Sequence, residues 1–303
     1  MRFTKMHGAG NDFVVQDGRN KELPWGNLAK SMCDRHFGVG ADGIILVLES
    51  EVADLRMRMF NPDGSEAEMC GNGIRCFAKF VLENALLPWG NSSFDIETLA
   101  GILPVQPILD GQYVTRVQVG MGVPQLTPEL IPVDRSERLK IVGSDRPMGM
   151  RSSGSSFEYF MPKEDMVFDW PIVVKGKNFT ITGVSMGNPH AVAFISESVE
   201  GIQLEEFGPQ IEHHRLFPNR VNFEIVNVID RRNLRARVWE RGAGLTLACG
   251  SGASAIAVAA RLHGYIDDSV NIALPGGTLS LSWDGKGQVY LEGPVEKVFD
   301  GEW

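Results

Sequence analysis

The sequence predicts an α+β fold in which much antiparallel sheet covers a few helices. Apolar and polar residues alternate with period two in many short segments, which is typical of half-buried strands. Two other segments carry apolar residues at helical spacing. The predicted strands and helices do not alternate regularly, so a parallel sheet is not expected. A sixteen-residue pattern recurs about half a chain later, which indicates two related halves.

Several segments are predicted as strands. Four of them alternate between apolar and polar residues: 55–59, 113–119, 234–238 and 278–283. Residues 44–48 form a short apolar run, which is typical of a strand buried on both faces. A looser stretch that carries Ser and Pro, residues 128–177, is predicted as a surface insertion with weak strands.

Two segments are predicted as helices. The first is an amphipathic helix with Arg75, Lys79 and Glu83 off its apolar stripe. The stripe consists of Ile74, Phe77, Ala78, Val81, Leu82 and Ala85. Residues 253–262 are apolar nearly all round, so the second helix should be buried, and Gly264 should end it. A shorter helix is predicted near residues 27–33.

Composition and charge exclude several classes of protein. The chain has 303 residues, of which 43% are hydrophobic and 22% charged, as in a globular protein of about two domains. The net charge is −9 without any basic run, so the chain is a poor binder of nucleic acid or anionic membranes. It has no apolar stretch of about 18 residues and no apolar signal core at its start, so a cytoplasmic protein is expected.

The recurring pattern relates residues 58–73 to residues 237–252 at a constant offset of 179. The offset pairs Arg58 with Arg237 and Phe60 with Trp239. Both copies run from a strand through a polar turn to Cys-Gly-x-Gly and a helix. Two related halves are therefore predicted, each with a cysteine before a helix.

Each repeated cysteine is predicted to lie beside a helix N-terminus. Asn72 and Ser251 are good N-cap residue types, and Cys70 and Cys249 stand two residues earlier. Unsatisfied N–H groups and the helix dipole favour a thiolate there and can also hold a carboxylate. The alternative interpretation, that both are small core residues, stays open from the repeat alone.

The other two cysteines, Cys33 and Cys76, are predicted to be small core residues. No pair of cysteines has the Cys-x2-Cys spacing of a zinc site, and His213 and His214 have no ligand spacing around them. No metal is therefore expected.

Two glycine-rich segments match dinucleotide-binding motifs without the context that such motifs need. Residues 38–43 precede a predicted strand instead of following one. Residues 250–255 open a helix, but no parallel βαβ series surrounds them, so a nicotinamide enzyme is disfavoured. His190 ends a Gly-Asn-Pro turn before a predicted strand, where either a functional or a structural histidine would fit.

Taken together, these motifs make the sequence resemble the diaminopimelate epimerase family. The matching segments keep their order and span residue 3 to about residue 300, whereas residues 128–177 match least. The segments are residues 5–14, 60–66, 69–76, 184–190, 220–222, 240–244, 248–252 and 274–278.

The resemblance implies a homodimer whose subunits have two pseudo-symmetric domains, each a sheet wrapped around a central helix. The domains would be residues 1–125 plus 290–303, with Cys70, and residues 126–289, with Cys249. The active site would lie in the cleft between them. The implied reaction interconverts LL- and meso-diaminopimelate for lysine and peptidoglycan synthesis, without pyridoxal phosphate, any other cofactor or a metal.

The resemblance also assigns roles to residues. Cys70 and Cys249 would be the acid/base pair, and His190 and Glu240 would tune their thiols. Gly43 is a departure, because some members carry Gln there, so that substrate contact is absent. The implied substrate-binding residues are Asn11, Asn61, Gly71, Asn72, Asn188, Asn222, Glu240, Arg241, Gly250 and Ser251.

Three rival functions stay open from the residues. A proline-racemase relative would share the two-thiol chemistry, although Glu240 and Arg241 favour a substrate with a second charged end. A thiol redox enzyme would cycle through a disulfide, but the chain has no Cys-x-x-Cys pair. A non-catalytic amino-acid-binding protein would bind its ligand without using either thiol.

Overall fold

A computed structural model describes residues 1–88, 92–136 and 165–303 of the chain. The chain divides into two compact units. The first comprises residues 1–121, 276–279 and 290–303, and the second comprises residues 122–275 and 280–289. Residues 137–164 of the predicted surface insertion lie outside the described residues.

Strands dominate the described residues, as the α+β prediction requires. In chain order they are β1 (Arg2–Gly8), β2 (Asn11–Asp17), β3 (Gly43–Leu48), β4 (Leu55–Phe60), β5 (Glu66–Ala67), β6 (Phe94–Thr98), β7 (Gly101–Asp110), β8 (Tyr113–Gly120), β9 (Trp170–Val174), β10 (Lys177–Ser185), β11 (Pro189–Phe194), β12 (Asn222–Asp230), β13 (Asn233–Glu240), β14 (Gly244–Thr246), β15 (Ser269–Leu274), β16 (Gly277–Ser282), β17 (Tyr290–Pro294) and β18 (Glu296–Glu302). All five predicted strands are among them.

The helices are few, as predicted. They are α1 (Trp25–Met32), α2 (Gly71–Glu83), α3 (Leu204–Glu212) and α4 (Gly250–Leu262), with a short 3-10 helix at Val199–Gly201. None of the helices in the described ranges has both the length and the apolar character needed to cross a membrane.

In the first unit the strands form a mostly antiparallel sheet. β1 pairs with β2 and β18, β3 with β4, β6 with β7, and β8 with β7 and β17, all antiparallel. The exceptions are the parallel pairs β2–β3, where Phe13 lies opposite Gly43, and β4–β6. Parallel pairs need a long connection, which α1 and α2 supply.

The second unit repeats this order. β9, β10 and β11 are antiparallel neighbours, β11 pairs in parallel with β12, and β12 pairs antiparallel with β13. β13 then pairs in parallel with β15. His190 lies opposite Asn222 in the parallel pair β11–β12. Gly43 and Asn222 are 179 residues apart, so His190 holds the place that Phe13 holds in the first unit.

The predicted repeat extends over the whole of the two long helices. α2 and α4 begin and end at residues that are 179 positions apart. Both end in the same hydrogen-bonding motif, with one residue of positive φ, Ala85 at 53° and Gly264 at 74°. The next N–H group bonds back to the last turn in each helix, from Leu86 to Val81 O and from Tyr265 to Ala260 O. The predicted C-terminal role of Gly264 is confirmed.

The first helix has the predicted amphipathic pattern, but its burial extends beyond the apolar stripe. Arg75 and Lys79 lie off the stripe and are nevertheless buried, as is every residue of 71–82. Lys79 Nζ donates to Glu83 Oε1 at 2.6 Å and to Val114 O at 2.5 Å, so its charge has partners inside the unit. Strands of the first unit, among them β1, β2 and β8, pack against this helix, which is why its polar residues are buried as well.

Candidate active site

The two helix starts are built by the cysteines themselves. Cys70 and Cys249 are the N-cap residues, with extended backbones of φ −139° and −118°. The prediction that Asn72 and Ser251 are the N-caps is wrong, because each is the second residue of its helix. Glycine follows each cysteine and begins the helix. At Cys249 the sulfur accepts from Gly252 N–H, as a serine or aspartate oxygen usually does at an N-cap, whereas the Cys70 sulfur makes no such capping bond.

At the start of α2, three predicted site residues contact one another. Cys70 Sγ donates to Asn11 Oδ1 at 3.4 Å, and Asn72 Nδ2 donates to the same oxygen at 3.2 Å. Asn11 Nδ2 donates to Asp42 Oδ2 at 2.5 Å, which fixes the orientation of its amide. Asn11 begins β2 directly after a turn in which Ala9 and Gly10 have positive φ. The sharp turn therefore brings this amide to the thiol.

A buried cation that sequence reasoning did not single out lies in the first turns of α2. Arg75 has no exposed surface, and its guanidinium donates to Gly71 O at 3.0 Å, Asn72 Oδ1 at 2.9 Å and Pro294 O at 3.2 Å. Burial lowers the pKa of Arg75 to about 10, while the nearby thiols of Cys76 and Cys70 oppose this. Arg75 is thus still charged at pH 7 and places a positive charge beside Cys70.

At the start of α4, the sulfur accepts a backbone hydrogen bond. Gly252 N–H donates to Cys249 Sγ at 3.3 Å, and the Ser251 hydroxyl oxygen lies 3.5 Å from the same sulfur. Asn188 Nδ2 donates to Ser251 Oγ at 3.2 Å. Burial and the charge of Glu240 raise the pKa of Cys249 well above its ordinary value, against the two hydrogen bonds.

His190 forms a buried pair with Glu224, a residue that sequence reasoning did not identify. His190 Nδ1 lies 2.7 Å from Glu224 Oε1, and neither side chain is exposed. His190 Nε2 lies 3.0 Å from Asn188 Oδ1. Burial raises the pKa of Glu224, although His190 partly opposes this. The available signal was a charged residue in the middle of the apolar strand β12.

The predicted residues of the β13–β14 turn are held by a second buried carboxylate. Asn222 Nδ2 donates to Pro189 O at 2.8 Å, and Asn222 Oδ1 accepts from Arg241 N–H at 2.8 Å. Glu212 on α3 accepts from Trp239 Nε1 at 2.8 Å and from the N–H of Gly242 at 3.0 Å. These contacts set the turn that carries Glu240 and Arg241. Sequence reasoning did not predict a role for Glu212.

Three further residues complete the predicted set. Glu240 Oε1 accepts from the Thr246 hydroxyl at 2.6 Å. Asn61 closes a turn, because its N–H donates to Ser65 O at 2.8 Å and its Nδ2 donates to Ser65 Oγ at 3.0 Å. At Gly43, a Cβ atom would lie 2.8 Å from Phe60 O, so this backbone admits no side chain without a shift.

Each helix start combines a sulfur with an anion site. The first N–H groups of a helix lack partners within it, and the helix dipole favours a negative charge there. In α2 these N–H groups belong to Gly71 and Asn72, and in α4 to Gly250 and Ser251. A carboxylate bound at either start would bring an adjacent carbon near the sulfur.

Several known proteins with similar sequences are described as diaminopimelate epimerases. The sequence model of the family described as diaminopimelate epimerase matches residues 3–127 and 182–298. The diaminopimelate epimerase of Moorella thermoacetica is 47% identical over 100% of this chain and 99% of its own length. That of Acetivibrio thermocellus is 45% identical over 100% and 98%.

Solved structures show the same fold at low sequence identity. A probable proline racemase from Agrobacterium radiobacter K84 superimposes with a TM-score of 0.68 and 13% identity. The match covers 100% of this chain and 92% of the other. The α+β prediction of a diaminopimelate epimerase-like fold is confirmed by this group of structures together with the strands and helices above.

Proposed function

This chain belongs to the diaminopimelate epimerase family, and we propose that it interconverts LL- and meso-2,6-diaminopimelate with Cys70 and Cys249 as the two acid/base groups. The product would feed lysine synthesis and peptidoglycan precursors. The homodimer, the cytoplasmic location and the independence from cofactors stay predictions, as do the two domain ranges.

One observation carries the proposal. Cys70 and Cys249 are matched residues of a duplicated strand–turn–helix element, and each is the N-cap of a buried helix. Inverting a carbon requires a base on one face and an acid on the other. A duplicated sulfur, one thiolate and one thiol, supplies both groups and lets them exchange roles when the reaction runs backwards.

The thiols need help from the helix starts. A free thiol has a pKa of about 8.5, so it is a weak base for the α-proton of an amino acid. Hydrogen-bond donors aimed at the developing carbanion can supply the missing stabilisation, and one such donor contributes roughly 3–4 kcal/mol. The N–H groups of Gly71, Asn72, Gly250 and Ser251 are the donors that we assign to the reacting carboxylate.

The remaining residues divide into orienting and binding roles. We assign the distal end of the substrate to Asn61, Asn222, Glu240 and Arg241 because a guanidinium suits a carboxylate. Since both ends of the Asn222 amide already bond to backbone, its first role is to hold the Arg241 turn against Pro189. His190 and Glu240 stay assigned to tuning the thiols.

The test is solvent exchange at the α-carbon. Purified protein is incubated with LL-diaminopimelate in D2O without added cofactor, and deuterium uptake and meso product are followed by NMR. We expect both in the wild type and neither in Cys70→Ala or Cys249→Ala, with kcat lower by at least about 10³-fold because one proton transfer is lost. Cys33→Ala is the matched control, because Cys33 is buried in an apolar cluster with Ala29 and Met32 of α1 and the variant should retain activity.

The result would contradict the proposal if the reduced wild-type enzyme exchanged no deuterium, or if either cysteine variant kept its activity. A screen of proline, hydroxyproline and glutamate separates the racemase alternative, which the fold of the neighbouring structures also allows. Exchange with one of these and not with diaminopimelate would keep the two-thiol chemistry and change the substrate.

A further inference from the structure

We propose that Glu224 is a positioning residue for the Cys249 sulfur, on which it acts through a chain of buried hydrogen bonds. The proposal rests on the function above only in taking Cys249 as a reacting group. All five residues of this hydrogen-bond chain belong to the second unit: Glu224, His190, Asn188, Ser251 and Cys249.

The chain begins at the fully buried pair of Glu224 and His190. Burial disfavours a carboxyl group that lacks a partner, so the contact of 2.7 Å between Glu224 Oε1 and His190 Nδ1 is what stabilises this side chain in the interior. The second oxygen, Glu224 Oε2, is buried and has no hydrogen-bond partner among the residues that the structure describes. The route from Glu224 into the hydrogen-bond chain is therefore its contact to His190 Nδ1.

The atom that faces the far side of the ring gives the chain its direction. An amide oxygen can only accept, so Asn188 Oδ1, which lies 3.0 Å from His190 Nε2, accepts from an N–H at that nitrogen. This contact orients the amide, so that Asn188 Nδ2 donates to Ser251 Oγ at 3.2 Å. The hydroxyl of Ser251 accepts there, which leaves its own proton to point elsewhere.

The hydrogen-bond chain ends at the sulfur of Cys249. The Ser251 hydroxyl lies 3.5 Å from Cys249 Sγ and accepts from Asn188, so its own proton is available for the sulfur. When Cys249 is a thiolate it has no proton to give, and the hydroxyl can then only donate to it. Together with the N–H of Gly252 at 3.3 Å, it makes two donors to Sγ. Two donors favour a thiolate, whereas burial and the charges of Glu240 and Glu224 raise the pKa of Cys249. The hydrogen-bond chain thus acts against the direct effect of the Glu224 charge on the sulfur. Glu240 also raises the pKa of Glu224.

Two substitutions of Glu224 separate positioning from charge. In Glu224→Gln, the side-chain amide can donate to Nδ1, and Nε2 keeps its proton for Asn188. The hydrogen-bond chain therefore keeps its direction. In Glu224→Leu, the side chain has a similar volume but offers Nδ1 no partner, so the ring, the amide and the hydroxyl lose their fixed orientation.

The measurement is the pH dependence of alkylation by iodoacetamide, followed separately for each cysteine by peptide mass spectrometry. We expect Glu224→Leu to slow the alkylation of Cys249 at pH 8 by about fivefold, the effect of one lost hydrogen bond to the thiolate. Glu224→Gln should stay within about twofold of the wild type, because its hydrogen bond replaces the lost one. Cys70, in the other unit, serves as the internal reference and should not change in either variant.

The other end of the chain gives an independent check in case Glu224→Leu folds poorly. Ser251→Ala should slow the alkylation of Cys249 by a similar factor. Adding Glu224→Leu to Ser251→Ala should have little further effect, because both substitutions interrupt the same hydrogen-bond chain. Ser254→Ala is the matched control, because Ser254 is a buried serine of the same helix that donates to Gly250 O instead. It should leave the alkylation of Cys249 unchanged.

Several outcomes would overturn the proposal. Faster alkylation of Cys249 in either variant would mean that the carboxylate acts as a repelling charge. Equal slowing in Glu224→Gln and Glu224→Leu, or equal changes at Cys70 and Cys249, would point to a general structural role, and no change would exclude any role. The assay needs no turnover, so a failure of the epimerase assignment in the exchange experiment would be recognised separately.

Discussion

The start of α2 and the start of α4 share one backbone geometry, but different buried groups surround them. Arg75 and Ser254 are 179 residues apart, and each donates to the matched carbonyl, Gly71 O at 3.0 Å and Gly250 O at 2.9 Å. The first donor is a cation and the second is neutral. A duplicated element has therefore kept its hydrogen bond and changed its charge.

The strands that pack against the two helix starts also differ in charge, but here the ionisable group belongs to the second unit. A Cβ on Gly73 would lie 2.9 Å from Ile45 Cδ1, whereas a Cβ on the matched Gly252 would lie 3.0 Å from Glu224 Oε1. Ile45 and Glu224 are again 179 residues apart. The first helix start rests on apolar side chains with a cation, and the second rests on a buried acid–histidine pair.

This difference suggests how two equal sulfurs come to play unequal parts. Burial and Glu240 raise the pKa of Cys249, whereas a buried cation, Arg75, lies in the first turns of the helix that Cys70 begins. An epimerase of the proposed kind needs one thiolate and one thiol at the same time.

The largest expected effect concerns the buried cation. Arg75→Met removes three hydrogen bonds of a buried cation, to Gly71 O, Asn72 Oδ1 and Pro294 O, so we expect the free energy of unfolding to fall by about 3 kcal/mol or more. The matched Ser254→Ala removes one hydrogen bond and should cost about 1 kcal/mol. Urea unfolding of both variants measures the two losses. Equal losses would mean that the cation adds nothing beyond the hydrogen bond that the two positions share.

A second comparison concerns Cys76, whose counterpart is Ala255. Burial raises the pKa of Cys76 to about 12. The unfolded chain loses this proton first, so stability is fully present below about pH 9 and then falls by up to 1.4 kcal/mol per pH unit as the pH rises to 12. Cys76→Ala makes the position identical in both units, and unfolding free energies at pH 8.5 and 10.5 should differ less in the variant than in the wild type. The same difference in both proteins would remove Cys76 as the source.

The smallest expected effect concerns the helix ends. Ala85 and Gly264 occupy the same left-handed position, which costs an alanine about 1 kcal/mol relative to glycine. Ala85→Gly should therefore raise the free energy of unfolding by about that amount, and Gly264→Ala should lower it equally. Thermal unfolding of the pair is the measurement, and shifts in Tm of the same sign would contradict the shared geometry.

Local patterns in the sequence were enough to predict the elements. The alternation in residues 55–59 and 234–238, the apolar run of 253–262 and the role of Gly264 all match the structure. These features depend on the periodicity of one segment and on the backbone preferences of single residues, which the chain carries wherever it folds. The constant offset of 179 likewise predicted the duplicated helices.

What surrounds each element was decided by tertiary structure. Arg75 was expected outside the apolar stripe and is buried, the cysteines replace Asn72 and Ser251 as N-caps, and Glu224 was not expected at the site at all. The burial of a polar side chain depends on strands that are far away in sequence, such as β17, whose Pro294 carbonyl accepts from Arg75.

The sequence by itself thus determined the fold class, the duplication and the pair of matched cysteines. Only the tertiary structure decided which charges lie beside each sulfur: Arg75 at one helix start, and Glu224 with His190 at the other. The physical reason is that helix and strand formation depend on neighbours in the chain, whereas the energy of a buried charge depends on every group packed around it.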